Sequence, residues 1–208
     1  MKVHARMSET DTAPHTIDHM NALERGLKRV GDVLGAIIAM MVLWPVFVLV
    51  YVLLKCDGTT PALFRQERIG LGGKTFYLFK FRTMRDEKED EPILAEENDE
   101  RLTPHGKFLR KHHLDELPQL WNVFVGDMSF VGYRPERQYF IDKIMAVNPD
   151  YQLLYCSRPG ITSYAAVHNG YTYTIEQMLR RLDMDLDYLR HRTLLLDIKI
   201  MFETLTAL

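Results

Sequence analysis

Val33 to Leu54 reads VLGAIIAMMVLWPVFVLVYVLL, 22 residues without a charged side chain. At ~1.5 Å rise per residue, a helix of that length can cross a hydrocarbon core of ~30 Å. Length alone therefore favours a single transmembrane helix. Two features oppose it. Pro45 stands mid-stretch, where it removes a backbone hydrogen bond and its ring clashes with the carbonyl of Met41. Lys28 and Arg29 precede the stretch, and Lys55, Arg65 and Arg68 follow it, so the basic flanks name no outer side. A helix-break-helix kinked at Pro45, entering and leaving by one face, satisfies both. The expected organisation is a mobile tail over residues 1–20, a re-entrant membrane element over 21–57 and a membrane-face domain over 58–208.

Composition bounds what that domain can be. The 208 residues suffice for one good core plus an appendage. Net charge is −2, but Asp86 to Glu100 carries nine acidic residues and one lysine, leaving about +6 elsewhere. That excess suits anionic phosphates and an anionic lipid surface. The acidic run itself reads as a solvated loop or loose helix. Cys56 and Cys156 follow no metal or disulfide spacing, which fits a reducing compartment. No apolar core follows closely on Met1, so no secretory signal is read.

Downstream, Gly106 to Glu136 reads GKFLRKHHLDELPQLWNVFVGDMSFVGYRPE. Pro118 disfavours a helical residue before it and fits the first turn of a new helix. The pattern predicts a helix over His105–Leu114, a break at Asp115-Glu116 and a second helix over Pro118–Phe124. Two adjacent carboxylates would then stand at a helix N-terminus, where free N–H groups favour negative charge. Capping alone is the bland explanation of such residues. Arg110 one turn upstream, and Asp127, Arg134 and Glu136 just beyond, turn the balance towards a metal-bound phosphate site. His112 and Glu116 would make a zinc-type pair on a continuous helix, but Pro118 breaks it and no third ligand is spaced to join them. Oxygen ligands and a phosphate substrate favour Mg2+ instead.

Leu114-Asp115-Glu116-Leu117-Pro118-Gln119-Leu120-Trp121-Asn122-Val123, followed by Gly126-Asp127-Met128-Ser129-Phe130-Val131-Gly132, resembles the bacterial sugar transferase family, the monotopic phosphoglycosyl transferases. Lys80-Phe81-Arg82-Thr83-Met84 and Arg158-Pro159-Gly160-Ile161-Thr162 resemble two further signatures of the family. Asp185 aligns with an acidic position in a third. The resemblance runs from about Leu27 to Leu205. It departs after Thr162, where Ser163-Tyr164-Ala165-Ala166 stands in place of a Gly-Trp-Ala-Gln pattern. It departs again at Trp44, where a serine often precedes the proline.

The resemblance implies that a sugar-1-phosphate passes from a UDP-sugar to polyprenyl (undecaprenyl) phosphate with release of UMP. Asp115 would be the nucleophile, forming a phosphosugar-aspartyl intermediate, and Glu116 would help to hold Mg2+. Arg110, Arg134, Lys80, Arg82 and Arg158 are the phosphate-binding candidates, with Pro45 as the structural kink. It also implies the cytoplasmic face of the bacterial inner membrane, lipid as a partner, and downstream glycosyltransferases that take the product. No nucleic-acid partner is expected, and the sugar and oligomeric state stay open. Two rival readings are a membrane-bound phosphatase or diphosphatase, which passes phosphate to water, and a non-catalytic membrane adaptor.

Between these motifs, Phe64–Ile69 and Thr75–Phe81 flank Gly70-Leu71-Gly72-Gly73 and read as a β-hairpin. Leu102–Leu114 reads as an amphipathic helix, equally suited to the membrane interface or to the core. Arg137–Tyr155 and Asp183–Phe202 read as helices, and Arg158–Thr162 as a turn. The fold class is therefore α+β: predominantly helical, with a small β-hairpin.

Overall fold

A computed structural model describes residues 17–58, 61–85, 101–170, 172 and 174–207, with only the backbone at 207. The acidic run over 86–100 and the first sixteen residues lie outside them. Helix α1 (Ala22–Cys56) opens on a capping box, Asn21 with Glu24, and runs through Pro45. The expected helix-break-helix is not formed: α1 continues through Pro45, which costs it a backbone hydrogen bond without ending it.

Its apolar surface is scarcely used inside the protein. An 18-residue window of α1 has mean hydropathy 2.8, and only 11% of it is buried. Met41, Val42 and Trp44 are each more than 60% exposed. A helix that apolar and that bare needs lipid as its solvent, so the chain is membrane-associated.

Both ends of α1, however, dock on one body. At the first end Lys28 pairs with Asp197 at 2.5 Å, and Arg29 donates to the carbonyls of Val123 (2.6 Å) and Phe124 (2.8 Å). Asp32 accepts from the Phe130 N–H, and Ala36 packs with Phe76, Leu78, Val123 and Met128. At the second end Val50 and Leu54 pack with Ala62, Phe81 and Leu109.

The predicted hairpin forms as β1 (Leu63–Ile69) and β2 (Thr75–Phe81), antiparallel, with Phe64 opposite Lys80. Its connection is a 3-10 turn over Leu71–Gly73. Gly72 and Gly73 sit there at φ 68 and φ 69, where a side chain would be strained. Helix α2 (Pro104–Lys111) is capped by Thr103, and α3 (Gln119–Val125) ends on Gly126 at φ 106. On the amphipathic α2, Leu109 is buried against α1, as the core reading has it, while Phe108 is 58% exposed.

A second sheet was not expected. Strands β3 (Ser129–Val131) and β4 (Gly160–Thr162) pair in parallel, so the predicted turn at Arg158–Thr162 is partly strand. The pairing rests on two glycines. A Cβ on Gly132 would lie 2.3 Å from the Arg158 carbonyl oxygen, and one on Gly160 would lie 2.2 Å from the Gly132 nitrogen.

The predicted Arg137–Tyr155 helix is split into α4 (Gln138–Met145) and a 3-10 segment over Pro149–Cys156. Asn148, immediately before Pro149, is extended, as proline requires of its predecessor. After α5 (Tyr164–Asn169), the last predicted helix is also two, α6 (Ile175–His191) and α7 (Leu194–Ala207). They break at Arg192, which turns inwards to clasp Asp18 at 2.5 and 2.7 Å. Residues 17–20, assigned to the tail from sequence, are accordingly docked: Met20 is buried, and His19 donates to the Leu189 carbonyl. The main core gathers α4, α6 and the 3-10 segment around Tyr133, Ile141, Ile144 and Leu189.

Candidate active site

The site grows from the interruption between α2 and α3. Helix α2 stops at His112, and His113 takes a left-handed φ of 51, the one non-glycine residue among those described with positive φ. The chain then makes a single 3-10 turn, Leu114–Glu116, before Pro118 admits α3. The carboxylates therefore stand on this turn rather than in the first turn of α3 as expected. The reversal points Asp115 inwards, 4% exposed, and sets Glu116 against the hairpin.

Three cations surround the pair. Lys80 Nζ, from β2, lies 2.6 Å from Glu116 Oε1, and Arg134 Nη2 lies 3.8 Å from the same oxygen. Arg110 is half-buried, and its charge bears on Asp115. The two carboxyls are driven apart. Burial acts to raise Glu116, but Lys80 and Arg134 outweigh it and bring it down to about 2, so Glu116 is a fixed anion. Burial raises Asp115, Glu116 adds to the rise, and Lys80, Arg110 and His113 only partly oppose it. The two adjacent acids are thus pushed in opposite directions.

A buried amide fixes the Lys80–Glu116 pair. Asn122, fully buried on α3, donates to the Tyr77 carbonyl at 2.7 Å and accepts from the Phe79 N–H at 3.1 Å. It ties β2 to the helix following the carboxylates. Arg134 is fixed from the other side. Glu136, two residues on, bridges Arg181 (2.6 Å) and Arg68 (3.2 Å), and Asp185 accepts the Arg134 backbone N–H. Burial pushes Asp185 up to about 7 despite the nearby Arg181. Sequence reasoning placed Asn122 and Glu136 within motifs without giving either a task. Their partners are tens of residues away, and no local signal announces them.

The remaining candidates go elsewhere. Arg82 Nε donates to the Pro61 carbonyl at 2.9 Å, and its guanidinium stands over the Phe64 ring. Arg158 Nε donates to the Gly126 carbonyl at 2.8 Å, close to Arg29. That is the C-terminal end of α3, opposite the carboxylates. Arg158 there serves the helix terminus.

Among the described residues, no three His, Cys, Asp or Glu side chains converge as a metal cage. Mg2+ needs no such cage: it takes one or two carboxylates, completed by water and substrate phosphates. Glu116, held ionised beside Lys80 and Arg134, fits that demand.

An apolar helix held against a domain that carries a cation-flanked carboxylate pair defines a membrane-associated protein with a charged site beside its membrane helix. Comparison with known proteins gives that class a family. The chain belongs to the bacterial sugar transferases, whose family model matches residues 23–208. It is 35% identical over 98% of its length to an Aeromonas hydrophila UDP-N-acetylgalactosamine-undecaprenyl-phosphate N-acetylgalactosaminephosphotransferase. It is 41% identical over 85% of its length to a Xanthomonas campestris pv. campestris UDP-glucose:undecaprenyl-phosphate glucose-1-phosphate transferase. A Caulobacter vibrioides protein of the same designation is 42% identical over 87% of the chain. The chain spans 51%, 37% and 69% of these three relatives, so the first two are about twice its length or more.

Proposed function

We propose that this protein transfers a sugar-1-phosphate from a UDP-sugar to undecaprenyl phosphate, releasing UMP, at the cytoplasmic face of the bacterial inner membrane. The observation that carries the reading is the divided carboxylate pair. Glu116 is a permanent anion, Asp115 is a shielded one, and Lys80, Arg110 and Arg134 stand where phosphate charge would accumulate. Relatives named for this reaction support it, and since they differ in the sugar they name, the sugar stays unassigned.

In the first step an Asp115 carboxylate oxygen attacks the phosphorus that bears the sugar. The bond from that phosphorus to the bridging oxygen breaks, and UMP leaves with the electron pair. In the second step an oxygen of undecaprenyl phosphate attacks the same phosphorus and expels Asp115, giving the lipid diphosphate sugar. Lys80 and Arg134 hold Glu116 in place and offset charge on the diphosphate, while Arg110 does so beside Asp115. Mg2+, when bound at Glu116, would supply further neutralisation of the diphosphate oxygens.

The direct test is UMP release across a panel of UDP-sugars, with and without undecaprenyl phosphate. At least one sugar should give release that the lipid stimulates. Release of free sugar phosphate without lipid would favour a phosphatase and sink the transferase reading. In the same assay Arg110→Lys should lose roughly tenfold or more while remaining folded, because an ammonium cannot reproduce the guanidinium fork. Parental activity in Arg110→Ala would move the phosphate contact to Arg134 or Lys80.

The proposed topology is re-entrant, with residues 21–57 in the membrane and 58–208 as the catalytic domain. Support comes from the two docking regions of α1. Ala36 and Val50 are both buried on the same domain. The helix between them covers roughly 21 Å at 1.5 Å per residue, short of a hydrocarbon core of ~30 Å. A spanning helix would place those regions on opposite sides. Replacing Pro45 with alanine restores the donor and removes the ring clash, easing a straight helix by roughly 3 kcal/mol. The check is a cysteine at residue 10, in a variant lacking Cys56 and Cys156, exposed to an impermeant thiol reagent in intact cells. Protection is expected for the parent and greater labelling for Pro45→Ala; ready labelling of the parent would end the re-entrant reading.

A further inference from the structure

Beneath Arg134 the core holds a void with about 10 Å³ open to the centre of a water molecule, close to the least that admits one. Asp185 from α6 and Tyr151 from the 3-10 segment line it, together with Arg134, Glu136 and Arg181. We propose that this void binds a single internal water, hydrogen-bonded to Asp185 Oδ1 and the Tyr151 hydroxyl, which makes Asp185 a positioning residue for Arg134. The water itself is independent of the transferase reading; its consequence for the substrate rests on that reading.

Three observations carry it. First, Asp185 Oδ1 and the Tyr151 hydroxyl oxygen are both buried, and neither has a hydrogen-bond partner among the described residues. Folded proteins rarely leave such atoms dry. Second, the orphaned atoms cluster. Six buried side-chain nitrogens or oxygens lack a partner among the described residues, and four belong to this neighbourhood, with the Tyr133 hydroxyl and Arg68 Nε joining the first two. Asp185 acts electrostatically on Tyr133, and Tyr151 on Arg68. Phenol donors beside a carboxylate acceptor suit a molecule that accepts from one and donates to the other. Third, the carboxylate is short of solvation. Asp185 accepts from the Arg134 N–H and the Ser163 hydroxyl and lies near Arg181, yet burial still pushes it up to about 7. A water at Oδ1 adds a donor that the protein does not supply. Hydrocarbon from Ile144, Leu154, Met178 and Leu182, none more than 3% exposed, closes the other sides.

Asp185 reaches the carboxylate site through the main chain. Its contact with the Arg134 N–H fixes the base of a side chain whose guanidinium lies 3.8 Å from Glu116 Oε1. With Oδ1 occupied by water, the carboxylate stays at that N–H. With Oδ1 bare, it is drawn towards Arg181, the strongest charge acting on it. Arg134 then loses its anchor, and the offset of charge on the diphosphate weakens.

The direct check is a structure of the full chain at a resolution that shows ordered water. Density for one water within hydrogen-bond distance of Asp185 Oδ1 and the Tyr151 hydroxyl is expected. Tyr151→Phe, which keeps the ring, should weaken or abolish that density. With a UDP-sugar that supports UMP release, Tyr151→Phe should raise the KM for that donor about fivefold. The KM for undecaprenyl phosphate should change less than about twofold, and the variant should melt close to the parent. Asp185→Asn keeps a carbonyl oxygen for the Arg134 N–H, so it should raise the donor KM less than Asp185→Ala does. An empty void in the parent, or a direct bond from the Tyr151 hydroxyl to Asp185, would overturn the water site. A water in place with an unchanged donor KM in both Tyr151→Phe and Asp185→Ala would overturn its positioning role. If no UDP-sugar supports UMP release, the transferase reading fails, while the density still decides whether the water is there.

Discussion

Asp115→Asn should abolish the proposed sugar-phosphate transfer, with a loss on the order of a thousandfold or more, because an amide is a very poor nucleophile towards phosphorus. The same substitution should not weaken the fold. Burial raises the Asp115 carboxyl above the ordinary range. A group raised in the folded state contributes stability below its unfolded pKa and loses that contribution as pH rises through the folded one. At neutral pH the ionised form is thus a cost, and a neutral isostere removes it. The variant should melt no lower than the parent while UMP release disappears. Glu116→Gln should behave differently: Lys80 and Arg134 lose their anion, the turn loosens, and activity falls with a greater requirement for Mg2+. Incubation with labelled donor and no acceptor, followed by denaturation, should leave label on Asp115. Near-parental UMP release by Asp115→Asn, or label on another residue, would remove the covalent reading.

How much of this was legible in sequence depended on how local each cause is. The apolar stretch over Val33–Leu54, the alternation of β1 and β2 and the interruption before Pro118 are set by neighbours in the chain, and they emerge where expected. Lys80 and Arg134 lie beside Glu116, and the Arg110 charge bears on Asp115. The parallel β3–β4 pair was hidden because three-residue strands carry no period. What makes them is the contact of Gly132 with Gly160, visible only in space. The family resemblance made Arg158 a phosphate-binding candidate. Its true neighbour, the Gly126 carbonyl, is 32 residues away. The left-handed turn at His113 left no glycine or asparagine to announce it, yet it is what turns Asp115 inwards.

Glu136→Gln should be the most destabilising single change at this site. Its carboxylate lies between the Arg181 and Arg68 guanidiniums at 2.6 and 3.2 Å, all three side chains being largely buried. Burial brings Arg68 down to about 10 even with Glu136 present, and Arg134 and Arg137 repel it further. Without the anion, two buried guanidiniums face like charges, with Asp185 as the remaining acid beside Arg181. Breaking one partner from such a cluster costs on the order of 3–5 kcal/mol, which for a chain of this size lowers Tm by roughly 10 °C or more. The damage should also reach the chemistry. Glu136 is joined through the rigid Pro135 to Arg134, whose guanidinium attends Glu116, so a loosened Glu136 lets Arg134 move. The surviving folded fraction should therefore show a raised KM for the UDP-sugar. Adding Arg181→Met removes one stranded cation at similar volume, and the double variant should recover part of the lost stability, less destabilised than the two single changes summed. Thermal melts of the four proteins measure that coupling. A parental melt for Glu136→Gln would show that the arginines are satisfied by water or by Gln66 and Pro135 alone, and Arg134 would then owe its position to Asp185.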